Sequence, residues 1–229
     1  MLSNDISLIA VLTFFTLIPF VIAGGTCFIK FSIVLVMIRN ALGVQQIPSN
    51  LTLNGIALLL TAFVMAPVCQ NILNYIESNN IDFNNRQSVV QFINSGLGGY
   101  KTYLVRYSDK NLISYFYKIQ NKSINQDQEE QVSLDLKDDE EMVALPLTTL
   151  MPAYALSEIQ SAFKIAFYLY VPFVVIDLVV SSILLALGMM MMSPVTISIP
   201  IKLILFVSMN GWTLLSKGLV SQYTGLMMQ

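Results

Sequence analysis

The sequence predicts an all-α, membrane-associated protein built from kinked helical hairpins, with a small helical insertion that faces water. Charged residues make up 11% of the 229 residues and apolar residues make up 55%, whereas about a quarter of an ordinary soluble domain is charged. Eighteen of the 26 charged residues lie between Glu77 and Glu141, and positions 40–76 contain none. A water-soluble globular enzyme is therefore excluded, because it would have to bury far too much apolar surface.

Four apolar stretches define the predicted architecture: Ile6–Ile29, Leu51–Ile76, Ile165–Leu187 and Ile199–Leu215. A helix needs about 20 apolar residues to cross a bilayer core, so the first three are long enough and the fourth is marginal. The first stretch does not read as a cleavable signal peptide, because no Lys or Arg precedes Lys30 and the stretch is too long. We expect an N-terminal hairpin over residues 1–76 and a C-terminal hairpin over residues 151–229.

Each apolar stretch contains a proline: Pro19, Pro67, Pro172 or Pro200. Pro200 is expected at a helix start, where its missing N–H costs little. The other three are expected to kink or break their helices. Proline is common in membrane helices, so two interpretations stay open: an ordinary feature of such helices, or bent hairpins whose neighbours satisfy the freed backbone groups.

Residues 77–150 form a different kind of segment, rich in Asn, Gln, Ser and acidic residues. The apolar spacing of Val89–Ile93 and Tyr100–Ile119 is helix-like. Residues 121–141 are polar and acidic, which predicts a mobile loop. We therefore expect a small water-facing insertion with helical parts.

The few basic residues predict the orientation in the membrane. Lys30 and Arg39 fall between the first two apolar stretches, whereas Glu77–Lys164 contains 8 basic and 12 acidic residues. The positive-inside tendency places a Lys30–Arg39 turn in the cytoplasm, and the insertion and both termini outside.

The residue inventory excludes several kinds of chemistry. The chain has no histidine, and its two cysteines, Cys27 and Cys69, lie in apolar runs. The absence of histidine excludes a Cys/His zinc site, a Ser-His-Asp triad, a Cys-His dyad and histidine-ligated haem. We expect no cofactor, no metal, and two buried free thiols rather than a disulfide. A net charge of −2 without a basic cluster argues against a nucleic-acid partner.

Five charged residues lie in or beside the apolar runs: Lys30, Glu158, Lys164, Asp177 and Lys202. A charge at the centre of a membrane helix costs about 2.5–3.5 kcal/mol on insertion scales, so it normally faces a partner or water. Glu158 and Lys164 are too far apart for the i,i+4 relation, so each is expected to pair with another segment. For Asp177 three roles stay open: an ionic contact between helices or subunits with Lys202 or Lys30, a proton or ion pathway, and a hydrogen-bonded structural carboxylate.

Four consecutive methionines, Met189, Met190, Met191 and Met192, stand between Gly188 and Pro194. Glycine and proline interrupt helices, so residues 188–194 are predicted to form a loop in which the four side chains can converge. Methionine adapts to irregular shapes, which suits a deformable seal. Core filler is the alternative, and a thioether copper site is a third that lacks other soft ligands.

Several long motifs resemble those of the FliP/SctR family, the core export-apparatus subunits of bacterial type III secretion systems and flagella. The matching segments are Gly25–Phe31, Arg39–Gly43, Pro152–Ile159, Ala162–Phe167, Pro172–Asp177, Gly188–Pro194 and Gly211–Trp212. The resemblance covers nearly the whole chain and is strongest to the invasion-type injectisome members. Two positions depart from the family pattern: Ala166 replaces a usual glycine, which implies slightly looser helix packing, and Asn210 replaces a usual acidic residue, so no ionic contact is carried over there.

The resemblance implies a pore rather than an enzyme. Such subunits form a ring of five, joined by SctS-like and SctT-like subunits and by further export-gate, needle-base and inner-rod components. The assembly belongs to the bacterial inner membrane, mostly on its periplasmic side. Unfolded secreted proteins pass along its axis, and Met189–Met192 match the loop that seals the closed channel. The rival hypothesis is a conventional transporter or ion channel that uses Asp177 and Lys202 as a coupling pair.

Overall fold

The computed structural model describes residues 12–13, 16, 19–44, 46–79, 88, 91–124, 138–189 and 191–227. Every secondary-structure element within these ranges is helical, so the all-α prediction is confirmed. The helices are α1 Pro19–Gly25, α2 Phe28–Ala41, α3 Asn50–Asn79, α4 Gly98–Tyr107, α5 Lys110–Ile124, α6 Asp139–Val143, α7 Leu147–Ala186, α8 Pro194–Ser208, α9 Gly211–Ser221 and α10 Thr224–Met227. A single π-helical turn, Phe92–Gly96, precedes α4.

The longest helices are long and apolar enough to cross a membrane. Among the described residues, α3 and α7 are each long and apolar enough to cross a membrane. The bent pairs α1/α2 and α8/α9 raise the number of candidate spans to four if each pair counts as one span. Each of the two helices α3 and α7 contains an apolar segment of 18 residues. Only 28% of that segment is buried within the chain in α3, and only 17% in α7. Most of this apolar surface therefore faces lipid or other chains, as expected of a multi-pass membrane protein.

The predicted turn at Lys30–Arg39 is wrong, because both residues lie inside α2 and both are buried. No glycine or proline interrupts the sequence between Phe28 and Ala41, so the helix continues through the charged residues. The helix ends at Ala41, and two residues later Gly43 turns the chain with a φ of +78°, a left-handed conformation that glycine adopts without strain.

The predicted effects of the prolines also need correction. Pro67 and Pro172 lie inside the continuous helices α3 and α7, so a break is wrong for both, whereas a kink at either residue stays a prediction. Pro200 lies within α8 rather than at its start, because Pro194 already occupies the first turn of that helix.

The break in the fourth apolar stretch lies at Met209 and Asn210 instead, where α8 and α9 bend by 60°. Asn210 has φ 50° and ψ 45°, a left-handed conformation that asparagine tolerates better than most residues do. Asparagine at this position thus allows the chain to bend between α8 and α9 with little strain.

The chain forms two compact units, of which the first comprises Met1–Ile29 and Met65–Glu158. The segment predicted to be helical, Tyr100–Ile119, is divided into α4 and α5 by Ser108 and Asp109. The core of this unit comes from α4, α5, α6 and α7, through Tyr103, Leu104, Val105, Ile113, Met142, Leu150, Ala153 and Tyr154.

The predicted acidic loop is helical at both of its ends, since α5 reaches Ile124 and α6 begins at Asp139. Residues 125–137 of that prediction, like 89–90 of the Val89–Ile93 segment, lie outside the described residues. Three acidic residues, Asp139, Glu140 and Glu141, occupy the first turn of α6. Their negative charge is favourable next to the partial positive charge of a helix N-terminus.

The second unit comprises Lys30–Val64 and Ile159–Gln229. Its core cluster joins the end of α2 to α7 and α8 through Ile38, Ala41, Leu42, Phe173 and Phe206. Trp212 packs edge-on against Phe206, with the ring centroids 5.2 Å apart. Ala166, which replaces the glycine usual in the resembled family, is buried on α7.

Neither Cys27 nor Cys69 is part of a disulfide. Cys27 is buried, as predicted, whereas Cys69 is exposed on α3, so the prediction of burial is wrong for that residue. A cysteine on an apolar membrane helix need not point into the chain's own core, since lipid or a partner chain is an equally apolar neighbour.

Candidate functional site

The methionine run begins where α7 ends, and the backbone geometry fixes that end. Gly188 has φ +74°, its N–H donates to the Leu185 carbonyl at 3.0 Å, and the Met189 N–H donates to the Leu184 carbonyl at 2.9 Å. This pair of bonds is a Schellman motif, which needs a left-handed residue at the position of Gly188. The loop therefore starts at a defined point.

The other end of the loop is equally well defined. Ser193 is extended, with φ −71° and ψ 118°, and Pro194 starts α8. Proline restricts the residue before it to extended conformations and fits the first turn of a helix. The structure thus places Gly188 and Pro194 at the two boundaries of the non-helical segment.

The three described methionine side chains of the loop are exposed. Met189 is 41% exposed, Met191 100% and Met192 47%, while Met190 lies outside the described residues. Side chains this exposed do not fill the core of the chain that carries them. Met189, Met191 and Met192 therefore form an exposed apolar surface.

Below the loop, the two helices of the hairpin are joined by an ion pair. Nζ of Lys202 on α8 lies 2.6 Å from Oδ2 of Asp177 on α7. Ser198, one turn before Lys202, donates its hydroxyl to Oδ1 of the same carboxylate. Residues four apart lie on the same face of a helix, so α8 presents a hydroxyl and an ammonium side by side to Asp177.

Lys30 lies in a different environment. Its side chain is buried, and Nζ lies over the ring of Tyr223, 4.7 Å from the centroid. Phe31 packs edge-on against the same ring. A cation over an aromatic face is attracted by the negative face of the ring, so Tyr223 satisfies part of the charge of Lys30 in this apolar surrounding.

Glu158 and Lys164, both on α7, differ in exposure. Glu158 is 1% exposed, whereas Lys164 is exposed. Glu158 lies close enough to Tyr103 and Tyr107 to affect their ionisation. Burial raises the pKa of both phenols above the usual value for tyrosine, and the charge of Glu158 raises each further.

A cluster of tyrosines surrounds that position in the first unit. The hydroxyls of Tyr103 and Tyr154 share a short hydrogen bond, and Tyr100 donates its hydroxyl to the Gly25 carbonyl at 2.8 Å. The ring of Tyr103 also packs against Tyr100 and Tyr107. The cluster therefore links α4 to α7 and to the end of α1 by directional contacts.

Sequence reasoning missed several residues that complete these contacts, namely Ser198, Tyr223, Tyr103 and Tyr154. Ser198 was detectable, because it stands one helical turn before Lys202 on the face that must meet Asp177. From the sequence, Arg39 indicates only the topology and part of the family resemblance, yet it is buried on α2 and donates to the Pro48 carbonyl at 3.1 Å. Only the three-dimensional arrangement gives the partners of Arg39 and Lys30.

Comparison with known proteins adds an independent finding. The model of the FliP family matches residues 11–219. The surface presentation of antigens protein SpaP of Salmonella typhimurium is 59% identical over 222 residues, which covers 97% of this chain and 98% of that protein. SpaP of Shigella flexneri is 55% identical over 224 residues, with 97% and 98% covered. The Yop proteins translocation protein R of Yersinia pestis is 43% identical over 224 residues, with 98% and 99% covered.

Proposed function

This chain belongs to the FliP family, and from that membership we propose that it is a pore-forming subunit of a type III secretion export gate. Its role in the secretion export apparatus follows from relatives whose names describe surface presentation of antigens and translocation of Yop proteins. In this proposal, unfolded effector and needle proteins cross the bacterial inner membrane through the pore. The chain contributes structure to the pathway and no catalytic group.

The observation that carries this proposal is the exposed methionine loop between Gly188 and Pro194. An idle pore wide enough for polypeptide must hold back ions, yet it must yield to side chains of any size. Thioether side chains close a gap through dispersion contacts, have three rotatable bonds, and require no hydrogen bonds. Met189–Met192 from several copies would form such a gasket.

The apolar surface of the helices supports assembly with other chains. Most of the apolar segments of α3 and α7 is not buried within this chain. Soluble monomers rarely expose such large apolar surfaces. We assign this surface to a ring of five copies, to SctS-like and SctT-like subunits, and to further export-gate, needle-base and inner-rod components. Residues 1–76 and 151–229 would form the wall, and residues 77–150 would face the periplasm.

The geometry of the charged pair argues against the rival transporter. Lys202 is 2% exposed, and its ammonium is already bound to the Asp177 carboxylate, whose other oxygen is bound by Ser198. A coupling pair must exchange its partners for an ion or a proton during transport. These contacts instead suit a pair that holds two helices together.

The gasket is tested by replacing Met189, Met191 and Met192 with alanine in the complete secretion complex. The complex should assemble, because the loop adds little to the packed helices, and the idle membrane should become leaky to small ions. Replacing the same three residues with leucine is the matched control, since leucine keeps the apolar volume. An alanine variant that assembles and leaks no more than the parent would refute the gasket.

A further inference from the structure

Lys202 binds a second acceptor besides Asp177. Its Nζ lies 3.3 Å from the carbonyl oxygen of Ala41, and Ala41 is the last residue of α2. The last four carbonyls of a helix have no partner within the helix and carry a partial negative charge. Lys202 thus stands as a capping cation at the C-terminus of α2, although it belongs to α8.

The turn after α2 meets α8 at the same place. A Cβ at Gly43 would lie 2.9 Å from Cγ1 of Ile199, so the backbone of the turn approaches α8 as closely as only glycine allows. Ile199 lies between Ser198 and Lys202 in the sequence. The contact between Lys202 and Ala41 is therefore supported by a second, apolar contact between the same two elements.

Lys202 consequently connects three helices at one point. Through Asp177 it holds α7, through Ala41 it holds the end of α2, and it belongs to α8. The side chain is almost completely buried, at 2% exposure. A buried ammonium with two anionic or partly anionic acceptors in contact is well compensated, whereas loss of either acceptor removes part of that compensation.

This junction lies near the loop end of the hairpin that α7 and α8 form. Along α8, Ser198 is four residues or about 6 Å from Pro194 at the end of the loop, given a rise of 1.5 Å per residue. Along α7, Asp177 is nine residues or about 14 Å from Ala186. Fixing Asp177 against Ser198 and Lys202 sets the register of the two helices, and hence where the loop projects.

We propose that Lys202 is a positioning residue for the methionine loop, acting as a cation that caps α2 and clamps α7 to α8. The clamp itself stands on the contacts of Lys202, and its consequence for sealing rests on the proposed function. On this proposal the end of α2 is part of the support of the loop, although the two are far apart in the sequence.

Exchanging the two charges distinguishes a cap from a simple ion pair. If Lys202 acted only as the partner of Asp177, the double variant D177K/K202D would restore the attraction. If Lys202 also caps α2, the exchange fails, because the new carboxylate at position 202 would face the carbonyl end of a helix.

The experiment compares K202M, K202R, D177N, S198A and D177K/K202D in the complete secretion complex, by thermal stability and by ion leakage of the idle membrane. We expect K202R to resemble the parent and K202M to lower the Tm by about 4 °C and to leak. D177N should have the smaller effect, because Lys202 keeps the Ala41 carbonyl. S198A is the matched comparison: it removes one contact of Asp177 without touching α2, so its complex should leak clearly less than the K202M complex. If K202M does not assemble, K202Q takes its place, because it removes the capping charge while keeping an N–H donor, and its complex should be less stable and more leaky than the parent.

Three results would overturn the proposal. A D177K/K202D complex as stable as the parent would show that the charge pair alone matters, and leakage of S198A equal to that of K202M would remove α2 from the explanation. Suppose that the K202M complex is destabilised but stays sealed, while the methionine-to-alanine complex leaks. The junction would then stabilise the protein without positioning the loop. Absence of leakage in the methionine-to-alanine complex would instead count against the gasket, and the stability of the exchange variant would still decide whether Lys202 is a cap.

Discussion

The ring of Phe206 lies so close to Gly211 that a Cβ on this glycine would be 2.3 Å from Cε2 of the ring. The two residues stand on opposite sides of the bend between α8 and α9. Trp212 packs edge-on against the same ring. The bend is therefore held by an aromatic cluster that leaves room for only a hydrogen atom at position 211.

Replacing Gly211 with alanine should destabilise the protein by about 1–3 kcal/mol, the usual cost of overpacking a filled site. Thermal unfolding of the purified protein in detergent measures the effect. Gly218 on the same helix is the matched control, because nothing lies within 4 Å of a Cβ there. Gly218→Ala should be neutral or stabilising by about 0.5–1 kcal/mol, and equal losses in both variants would contradict the packing argument.

Replacing Gly188 with valine should cost about 1–2 kcal/mol, because its φ of +74° is unfavourable for a residue with a Cβ. Nothing lies within 4 Å of a Cβ at this position, so the cost comes from the backbone alone. Gly188→Asn should cost less, since asparagine tolerates this conformation. The unfolding midpoints of the two variants test the point, and equal midpoints would argue that the Schellman motif does not matter.

The hydrogen bond between Tyr103 and Tyr154 should appear as a coupling energy between α4 and α7. Tyr103→Phe, Tyr154→Phe and the double variant complete a double-mutant cycle. We expect a coupling of about 0.5–1.5 kcal/mol, the usual net value of a buried hydrogen bond. Strictly additive losses in unfolding free energy would mean that the two hydroxyls act independently.

Tyr100 should make the protein less stable at high pH. Burial raises the pKa of its phenol from 10.0 to about 12, so the unfolded chain loses this proton at a lower pH than the folded chain does. Its contribution to stability is complete below pH 10 and falls by about 2–3 kcal/mol as the pH rises to 12. Between pH 9 and 12, the unfolding free energy of Tyr100→Phe should fall less steeply than that of the parent. Tyr115→Phe is the control, because Tyr115 is exposed. A decline as steep as that of the parent would refute the assignment.

Removing residues 127–137 should leave secretion and stability nearly unchanged, because the segment consists mostly of polar and acidic residues. The deletion spares Asp138 and Asp139, which open α6. Leu104→Ala is the contrast, since Leu104 is fully buried in α4 and should cost about 2–5 kcal/mol. Loss of secretion in the deletion variant with normal folding would assign the acidic segment a function.

Much of the architecture was predictable because it depends on local sequence. Long uncharged stretches determine membrane helices, and Gly188 and Pro194 interrupt the helix whatever surrounds them. The pairing of Asp177 with Lys202 was one of the open alternatives, since a charge in an apolar stretch needs a partner. Boundaries were less predictable. The charges of α2 suggested a turn, but a lysine or an arginine does not end a helix.

By itself, the sequence determined the helical class, the membrane-spanning segments and the position of the methionine loop, because these follow from composition, periodicity and helix-breaking residues. Only the tertiary structure decided that Lys202 reaches Ala41, 161 residues away, that Tyr103 meets Tyr154, and that the last apolar stretch bends at Asn210. The physical reason is that the spacing of apolar residues shows which face of a helix is apolar. It does not show which other helix packs against that face. Such contacts between distant segments form only when the helices pack together, and they supply the acceptors of Lys202 and the partner of the Tyr103 hydroxyl.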